Sequence, residues 1–150
     1  MLVTGLRVIP DVASALASGR AVVALESSVL AQGLPIPQNG EAARRMVQSV
    51  EVGGAVPAFT AVVRGVPTLG LEPDELNRFL TRDGVRKVAA RDLPAAIAQE
   101  ADGATTVSAS LCIASLAGAR VFATGGIGRA FKITSNSFSG SIISHALTQV

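Results

Sequence analysis

The stretch AVVALESS, residues 21–28, decides the fold of this chain. Its first five residues form a continuous apolar run, which is typical of a strand buried on both faces. Glu26 follows directly, just beyond the carboxyl end of the strand, where open α/β folds bind their ligands. A carboxyl group that is partly removed from water there can donate or accept a proton near neutral pH. Alternatively, Glu26 caps loop amides or pairs with an arginine.

Strand and helix signals alternate along the rest of the chain. Asn39 is predicted to cap a helix over residues 40–52, where apolar side chains recur at helical spacing. Pro73 is predicted to open another helix, and Asp92 to cap a helix over LPAAIAQE. The predicted strands cover residues 21–25, 55–63, 85–90 and 119–128. This order predicts an α/β domain, a layered sheet with flanking helices.

The composition argues against several classes of protein. Of the 150 residues, 49% are hydrophobic and 16% are charged, and the formal net charge is +2. The basic residues are scattered and the chain has no Trp or Tyr to stack on bases, so we expect no nucleic-acid partner. Polar side chains interrupt the least polar window, residues 104–123, so we expect no membrane span. The single cysteine, Cys112, allows no intramolecular disulfide and favours a reducing cytoplasm.

Other candidate binding residues follow predicted strands or begin predicted helices. Lys87 lies in the strand predicted at residues 85–90, where its ammonium group binds a phosphate or sugar oxygen, or is simply solvated. Thr105 and Thr106 begin a predicted helix, which they cap, or whose free amides bind a phosphate. The stretch TGGIG, residues 124–128, forms either an anion-binding nest or a tight turn.

The residues alone show no pattern for a serine nucleophile or a metal. Ser27 and Ser28 lack the G-x-S-x-G context of a nucleophile, and the only histidine, His145, lies far along the chain. One histidine, one cysteine and scattered acids have no metal-ligand spacing.

Several separate blocks of the sequence together resemble one family. The blocks are VVALESSVLAQGLPIPQN, GAVPAFTAVVRGVPTLGL, KVAARDLP and DGATTVSASLCIASLAGARVFATGGIG, within about residues 8–128. In content and order they resemble pseudouridine-5'-phosphate glycosidase. The resemblance implies cleavage of the C–C glycosidic bond of pseudouridine 5'-phosphate to uracil and ribose 5-phosphate. It also implies a cytoplasmic homo-oligomer, a trimer in the family, that uses Mn²⁺.

The resemblance implies roles for individual residues as well. In the family, a lysine forms a Schiff base with C1 of the ring-opened sugar, and a glutamate supplies a proton that assists ring opening and departure of uracil. By position, Glu26 matches this proton donor. Lys87 matches a substrate-binding lysine that is not the nucleophile, and Val107 matches a residue that contacts the substrate.

The segment after Gly128 departs from the family pattern. Family members continue with a His–Arg pair and a stretch that carries the manganese-ligating aspartate, and the nucleophilic lysine comes later. Residues 129–150 contain no Asp or Glu, and Lys132 is their only lysine. We therefore expect a glycosidase-like α/β region over residues 1–128 and a divergent, serine-rich tail over residues 129–150. An ordinary loop and final helix is the alternative for this tail.

On this interpretation the family fold is truncated, and the chain alone is inactive because the metal aspartate and the nucleophilic lysine are missing. Two other functions are compatible with the same residues. A non-catalytic remnant or interaction subunit would fold without turnover. A sugar-phosphate-binding domain would bind ribose 5-phosphate through Lys87 without cleaving a bond.

Overall fold

A computed structural model describes residues 5–124, 129–132 and 142–143 of the chain. The helices are α1 (Pro10–Ala17), α2 (Gln38–Val52), α3 (Pro73–Thr81), α4 (Leu93–Ala98) and α5 (Val107–Leu116), with a π-helix at Val29–Gly33 and a 3-10 turn at Ala90–Asp92. The strands are β1 (Arg7–Val8), β2 (Val22–Leu25), β3 (Val56–Val63), β4 (Val66–Leu69), β5 (Arg86–Val88), β6 (Gly103–Thr105), β7 (Val121–Thr124), β8 (Arg129–Lys132) and β9 (Ile142–Ile143). Within these residues, no helix is long and apolar enough to cross a bilayer.

The described strands form one mixed sheet. Its main path runs β1-β4-β3-β2-β7-β8-β9, while β6 pairs with β3, and β5 pairs with β6. The central strand β2 is parallel to β3 and β7, whereas β4 and β6 are antiparallel to β3. Helices pack on this sheet, so the predicted α/β fold class is confirmed.

Helices cover both faces of the central strands. Val22 and Ala24 of β2 belong to a cluster with α1 and α5, whereas Val23 and Leu25 pack with α2 and α3. Because successive strand residues point to opposite faces, α1 and α5 lie on one face of the sheet and α2 and α3 on the other. This double cover explains why β2 is a continuous apolar run.

β2 and β6 approach each other end to end along β3. The pairing of β2 stops at Leu25, opposite Phe59, and β6 places Ala104 opposite Ala61. Because β2 is parallel to β3 and β6 is antiparallel to it, the carboxyl ends of both strands meet beside Thr60. The chain therefore leaves the sheet on both sides of this point, which opens a cleft.

Asn39 is not the predicted helix cap. α2 begins one residue earlier, at Gln38, and Asn39 is buried in its first turn with 2% exposure. The Asn39 Nδ2 donates to the carbonyl of Leu30 at 3.1 Å and to that of Leu80 at 2.8 Å. The side chain thus joins the π-helix to α3, a contact between distant segments that the local sequence does not indicate.

Asp92 and Thr106 hold the N-cap positions of α4 and α5 as predicted, but neither side chain makes a cap hydrogen bond, and the predicted cap Thr105 lies before the cap position. Thr105 is the fully buried last residue of β6, and α5 begins after Thr106, whose hydroxyl lies 3.4 Å from that of Ser108. Asp92 precedes α4, but its Oδ2 accepts from the backbone N–H of Ala89 at 3.0 Å. The carboxylate therefore closes the 3-10 turn instead of capping the helix.

The sequence does not predict β1, β4 or β6, which contain two to four residues each. β4 follows a tight turn at Arg64 and Gly65, whose φ angles are 47° and 78°. This turn lacks the Asn or Asp that usually indicates such a hairpin.

The segment after Gly128 contributes β8, which pairs antiparallel with β7, and β9, which pairs with β8. Where the tail is described, it therefore forms strands and not the loop and final helix that were the alternative prediction for residues 129–150. Residues 125–128 of the predicted anion nest, and residues 144–150, lie outside the described residues.

Candidate active site

A cleft of about 1090 Å³ lies where β2 and β6 leave the sheet. Its walls come from the end of β2, the π-helix, the middle of β5 and the 3-10 turn after it, the first turns of α5 and the end of β7. The polar side chains that line it include Glu26, Ser28, Gln32, Lys87, Ser108 and Thr124. A cleft of this size accommodates a small organic ligand.

Glu26 forms the buried end of this cleft, with only 4% of its surface exposed. Its Oε1 accepts a hydrogen bond from the hydroxyl of Thr124, and its Oε2 accepts one from the hydroxyl of Ser28 at 3.3 Å. Each carboxylate oxygen is thus held by a hydroxyl from a different segment of the chain. This arrangement fixes the orientation of a group that can exchange a proton with a ligand.

Lys87 and Val107 line the same cleft as Glu26. Lys87 is an exposed residue in the middle of β5, and Val107 is a half-buried residue at the start of α5. β5 and α5 are brought to β2 by β6, which pairs with both β5 and β3. The three residues singled out from the sequence are therefore neighbours around one cavity, and the roles assigned to them remain predictions.

The first turn of α5 forms one wall of the cleft through Thr106, Val107 and Ser108. The Ser108 hydroxyl accepts from the backbone N–H of Ala90 at 3.1 Å, which fastens this turn to the 3-10 turn after β5. The first amides of a helix have no intrahelical partner and carry partial positive charge. An anionic group in the cleft would therefore be stabilised at this wall.

The two serines after Glu26 have different environments. Ser27 is fully buried and donates to the carbonyl of Thr60 at 2.7 Å, so it is not accessible as a nucleophile. Ser28 is half-buried and lines the cleft beside the carboxylate. The sequence did not indicate Ser28, Gln32 or Ser108 as cleft residues, since polar residues of this kind are common in loops and helix starts.

The described residues do not form a manganese site. They contain no cluster of three or more His, Cys, Asp or Glu side chains. In the cleft, the carboxylate among the lining residues is that of Glu26, and Cys112 contributes an exposed thiol. A hard divalent cation prefers several oxygen ligands, so the part of the cleft formed by these residues does not fit a protein-bound Mn²⁺.

The sequence profile of the family described as "Indigoidine synthase A like protein" matches residues 11–149. The chain belongs to this family. Family members that it resembles closely carry the name pseudouridine-5'-phosphate glycosidase, so the resemblance identified in the sequence is confirmed.

Three of these relatives illustrate the similarity. The protein from Gemmatimonas aurantiaca is 62% identical over 122 residues, that from Chloroflexus aurantiacus 47% over 137 residues, and that from Arabidopsis thaliana 46% over 123 residues. These alignments cover 81%, 91% and 81% of this chain, but 40%, 45% and 37% of the relatives. The chain therefore spans less than half the length of the glycosidases that it matches.

Two solved structures have a similar fold. The prealnumycin C-glycosynthase AlnA, solved in complex with ribulose 5-phosphate, aligns with a TM-score of 0.74 and 39% identity over 84% of this chain and 40% of its own. An indigoidine synthase A-like protein from Thermotoga maritima aligns with a TM-score of 0.69 and 30% identity, over 81% of this chain and 39% of its own.

Proposed function

We propose that the chain carries the proton-donor and sugar-phosphate part of a pseudouridine-5'-phosphate glycosidase site. The observation that carries this proposal is the environment of Glu26, a buried carboxylate held by two hydroxyls in a cleft that also contains Lys87. The names of the relatives, and the ribulose 5-phosphate bound to a structural neighbour, support a phosphorylated five-carbon sugar as the ligand.

In this proposal Glu26 is the general acid of the reaction. Cleavage adds water across a C–C bond: uracil keeps the electron pair and takes up a proton, and C1 of the sugar gains the oxygen. For uracil to leave with the electron pair, C1 needs a substituent that donates electrons in its place, such as the nitrogen of the lysine that forms the Schiff base, and ring opening frees C1 to carry it. A carboxyl group beside the ring oxygen supplies the proton for this opening, and the hydroxyls of Ser28 and Thr124 hold it in place.

The phosphate group binds at the opposite wall. Lys87 supplies a point charge on a long, flexible side chain, and the first turn of α5 adds partial positive charge from its free amides. Val107, at the start of α5, packs against the sugar.

The remaining family properties form part of the proposal. We expect the complete site of the family to add a nucleophilic lysine and manganese ligands from outside the described cleft, and we expect a homo-oligomer in the cytoplasm. Because the described cleft contains neither manganese ligands nor a lysine other than Lys87, we expect the chain alone to bind sugar phosphate with little or no turnover.

Uracil release tests the catalytic part. The purified chain is incubated with pseudouridine 5'-phosphate and Mn²⁺, and uracil is measured by chromatography. Any turnover should disappear in Glu26→Gln and persist in the control Glu51→Gln, which changes an exposed carboxylate on α2. Turnover that survives Glu26→Gln would contradict the assignment of the proton donor.

A second candidate function is sugar-phosphate binding without bond cleavage, and the cationic wall formed by Lys87 and α5 favours it. Calorimetric titration with ribose 5-phosphate tests this candidate. Lys87→Gln should weaken binding by about tenfold or more, the loss of one charge-assisted hydrogen bond. The control Arg91→Gln removes an equal charge from a side chain that is 89% exposed and should leave the affinity nearly unchanged. A folded chain without affinity or turnover would contradict both candidate functions and leave the non-catalytic remnant or interaction subunit as the alternative.

A further inference from the structure

Four hydroxyl groups are buried together beneath the cleft, although the chain is otherwise rich in apolar residues. Ser27, Thr60, Thr105 and Ser110 each have 0% exposure. Burying a hydroxyl is unfavourable unless it is hydrogen-bonded, and here all four are connected. Alanine and valine would fill the same space without any buried hydroxyl, so the hydroxyls are expected to serve a purpose beyond packing.

Thr60 lies at the centre of this hydroxyl network. Its Oγ1 is 3.0 Å from the carbonyl oxygen of Leu25 and 2.8 Å from the hydroxyls of both Thr105 and Ser110. Its own carbonyl accepts from the hydroxyls of Ser27 and Thr105, each at 2.7 Å. One residue of β3 therefore contacts the end of β2, the end of β6 and the second turn of α5.

The network replaces a strand ladder that is interrupted at this position. β2 ends opposite Phe59 and β6 starts its pairing at Ala61, so neither strand continues past Thr60. The Ser27 hydroxyl takes over by accepting from the backbone N–H of Thr105 at 2.9 Å while donating to Thr60. Side chains thus bridge two strand ends that the backbone alone leaves unconnected.

We propose that Thr60 is a positioning residue that sets the distance between Glu26 and the first turn of α5. Leu25 and Ser27 flank Glu26, and Thr105 precedes the cleft wall at Thr106, so the hydroxyl network is one residue along the chain from both sides of the cleft. Thr60 itself does not line the cleft. This inference rests on the proposed function, because it concerns the fit of the same sugar phosphate.

The decisive comparison is between two buried threonines. Thr60→Val removes the central hydroxyl but keeps the branched shape, and Thr60→Ser keeps the hydroxyl. Thr68→Val is the matched control, since Thr68 is equally buried in β4 and its hydroxyl bonds to the carbonyl of Val66, away from the cleft. Ser110→Ala is a milder change that leaves Thr60 bonded to Leu25, and it replaces Thr60→Val if that variant does not fold.

Affinity for ribose 5-phosphate and amide hydrogen exchange are measured on all variants. We expect Thr60→Val to weaken binding about tenfold, and Ser110→Ala about threefold, whereas Thr60→Ser and Thr68→Val stay near the wild-type affinity. A purely structural role would lower stability in both valine variants without separating their affinities. Equal affinities of Thr60→Val and Thr68→Val would overturn the proposal.

Hydrogen exchange separates this proposal from the proposed function. The amides of Leu30 and Ser110 are protected on opposite sides of the cleft by the carbonyls of Ser27 and Thr106. Thr60→Val should accelerate exchange at both amides about tenfold relative to Thr68→Val. If the wild-type chain does not bind ribose 5-phosphate, the proposed function fails, and unchanged exchange at these amides overturns the positioning role independently.

Discussion

Replacement of Asn39 by alanine should destabilise the chain more than any exposed substitution of the same kind. The side chain is 2% exposed and donates to the buried carbonyl of Leu30 and to the part-buried carbonyl of Leu80. The backbone N–H of Gly40, which bonds to Asn39 Oδ1 at 2.8 Å, keeps the carbonyl of Pro37 as a second acceptor. Two carbonyls therefore lose a donor, at about 1–3 kcal/mol each, so we expect a loss of about 2–6 kcal/mol in the free energy of unfolding.

Urea unfolding followed by circular dichroism measures this loss. Asn77→Ala, on an exposed position of α3, is the matched control and should change stability by about 0.5 kcal/mol or less. Asn39→Asp keeps the shape but turns the donor into an acceptor that faces two carbonyl oxygens, so it should be at least as destabilising as Asn39→Ala at pH 7. A loss below about 1 kcal/mol for Asn39→Ala would refute the reasoning, because it would mean that the two carbonyls are satisfied without the amide.

Two further predictions concern stability away from the cleft. Burial of Glu75 opposes its ionisation, but hydrogen bonds from Arg7 and a backbone amide lower its pKa below the ordinary 4.5. The ion pair between Arg7 and Glu75 therefore contributes its full stabilisation at pH values above 4.5. As the pH falls below this value, about 0.5–1 kcal/mol of the free energy of unfolding should be lost, and unfolding curves of Glu75→Gln should show no such loss. Gly103→Ala places a Cβ 2.5 Å from Val88 Cγ2 and should cost about 1–3 kcal/mol, whereas Gly40→Ala, with open space in α2, should raise the melting temperature slightly.

Much of the fold can be predicted from local sequence because several helices and strands have a clear apolar pattern of their own. The apolar run that becomes β2 and the helical spacing that becomes α2 were both recognisable within single segments. β4 (VPTL) and β6 (GAT) were missed because they have neither a continuous apolar run like that of β2 nor enough residues for an alternating pattern. Thr105 shows the limit: its position after Asp102 and Gly103 resembles a helix start, yet its hydroxyl bonds to Thr60, 45 residues away.

The candidate site divides in the same way. Glu26 was indicated by its position after a buried strand, and the resemblance to the family added Lys87 and Val107. The structure shows that all three line one cleft, which depends on the end-to-end approach of β2 and β6. The sequence did not predict Ser28 and Thr124 as the partners that hold the carboxylate. Thr124 lies 98 residues from Glu26 in the sequence, so only the fold brings its hydroxyl to the carboxylate.

The most direct test of the central claim is a titration of the ¹⁵N-labelled chain with ribose 5-phosphate, followed by heteronuclear NMR. The account predicts saturable shifts in the amides of Glu26, Lys87 and Val107 with one common affinity, and loss of that response in Lys87→Gln. Saturable shifts that spare Glu26 and cluster elsewhere, or the absence of any saturable shift from a folded chain, would contradict it.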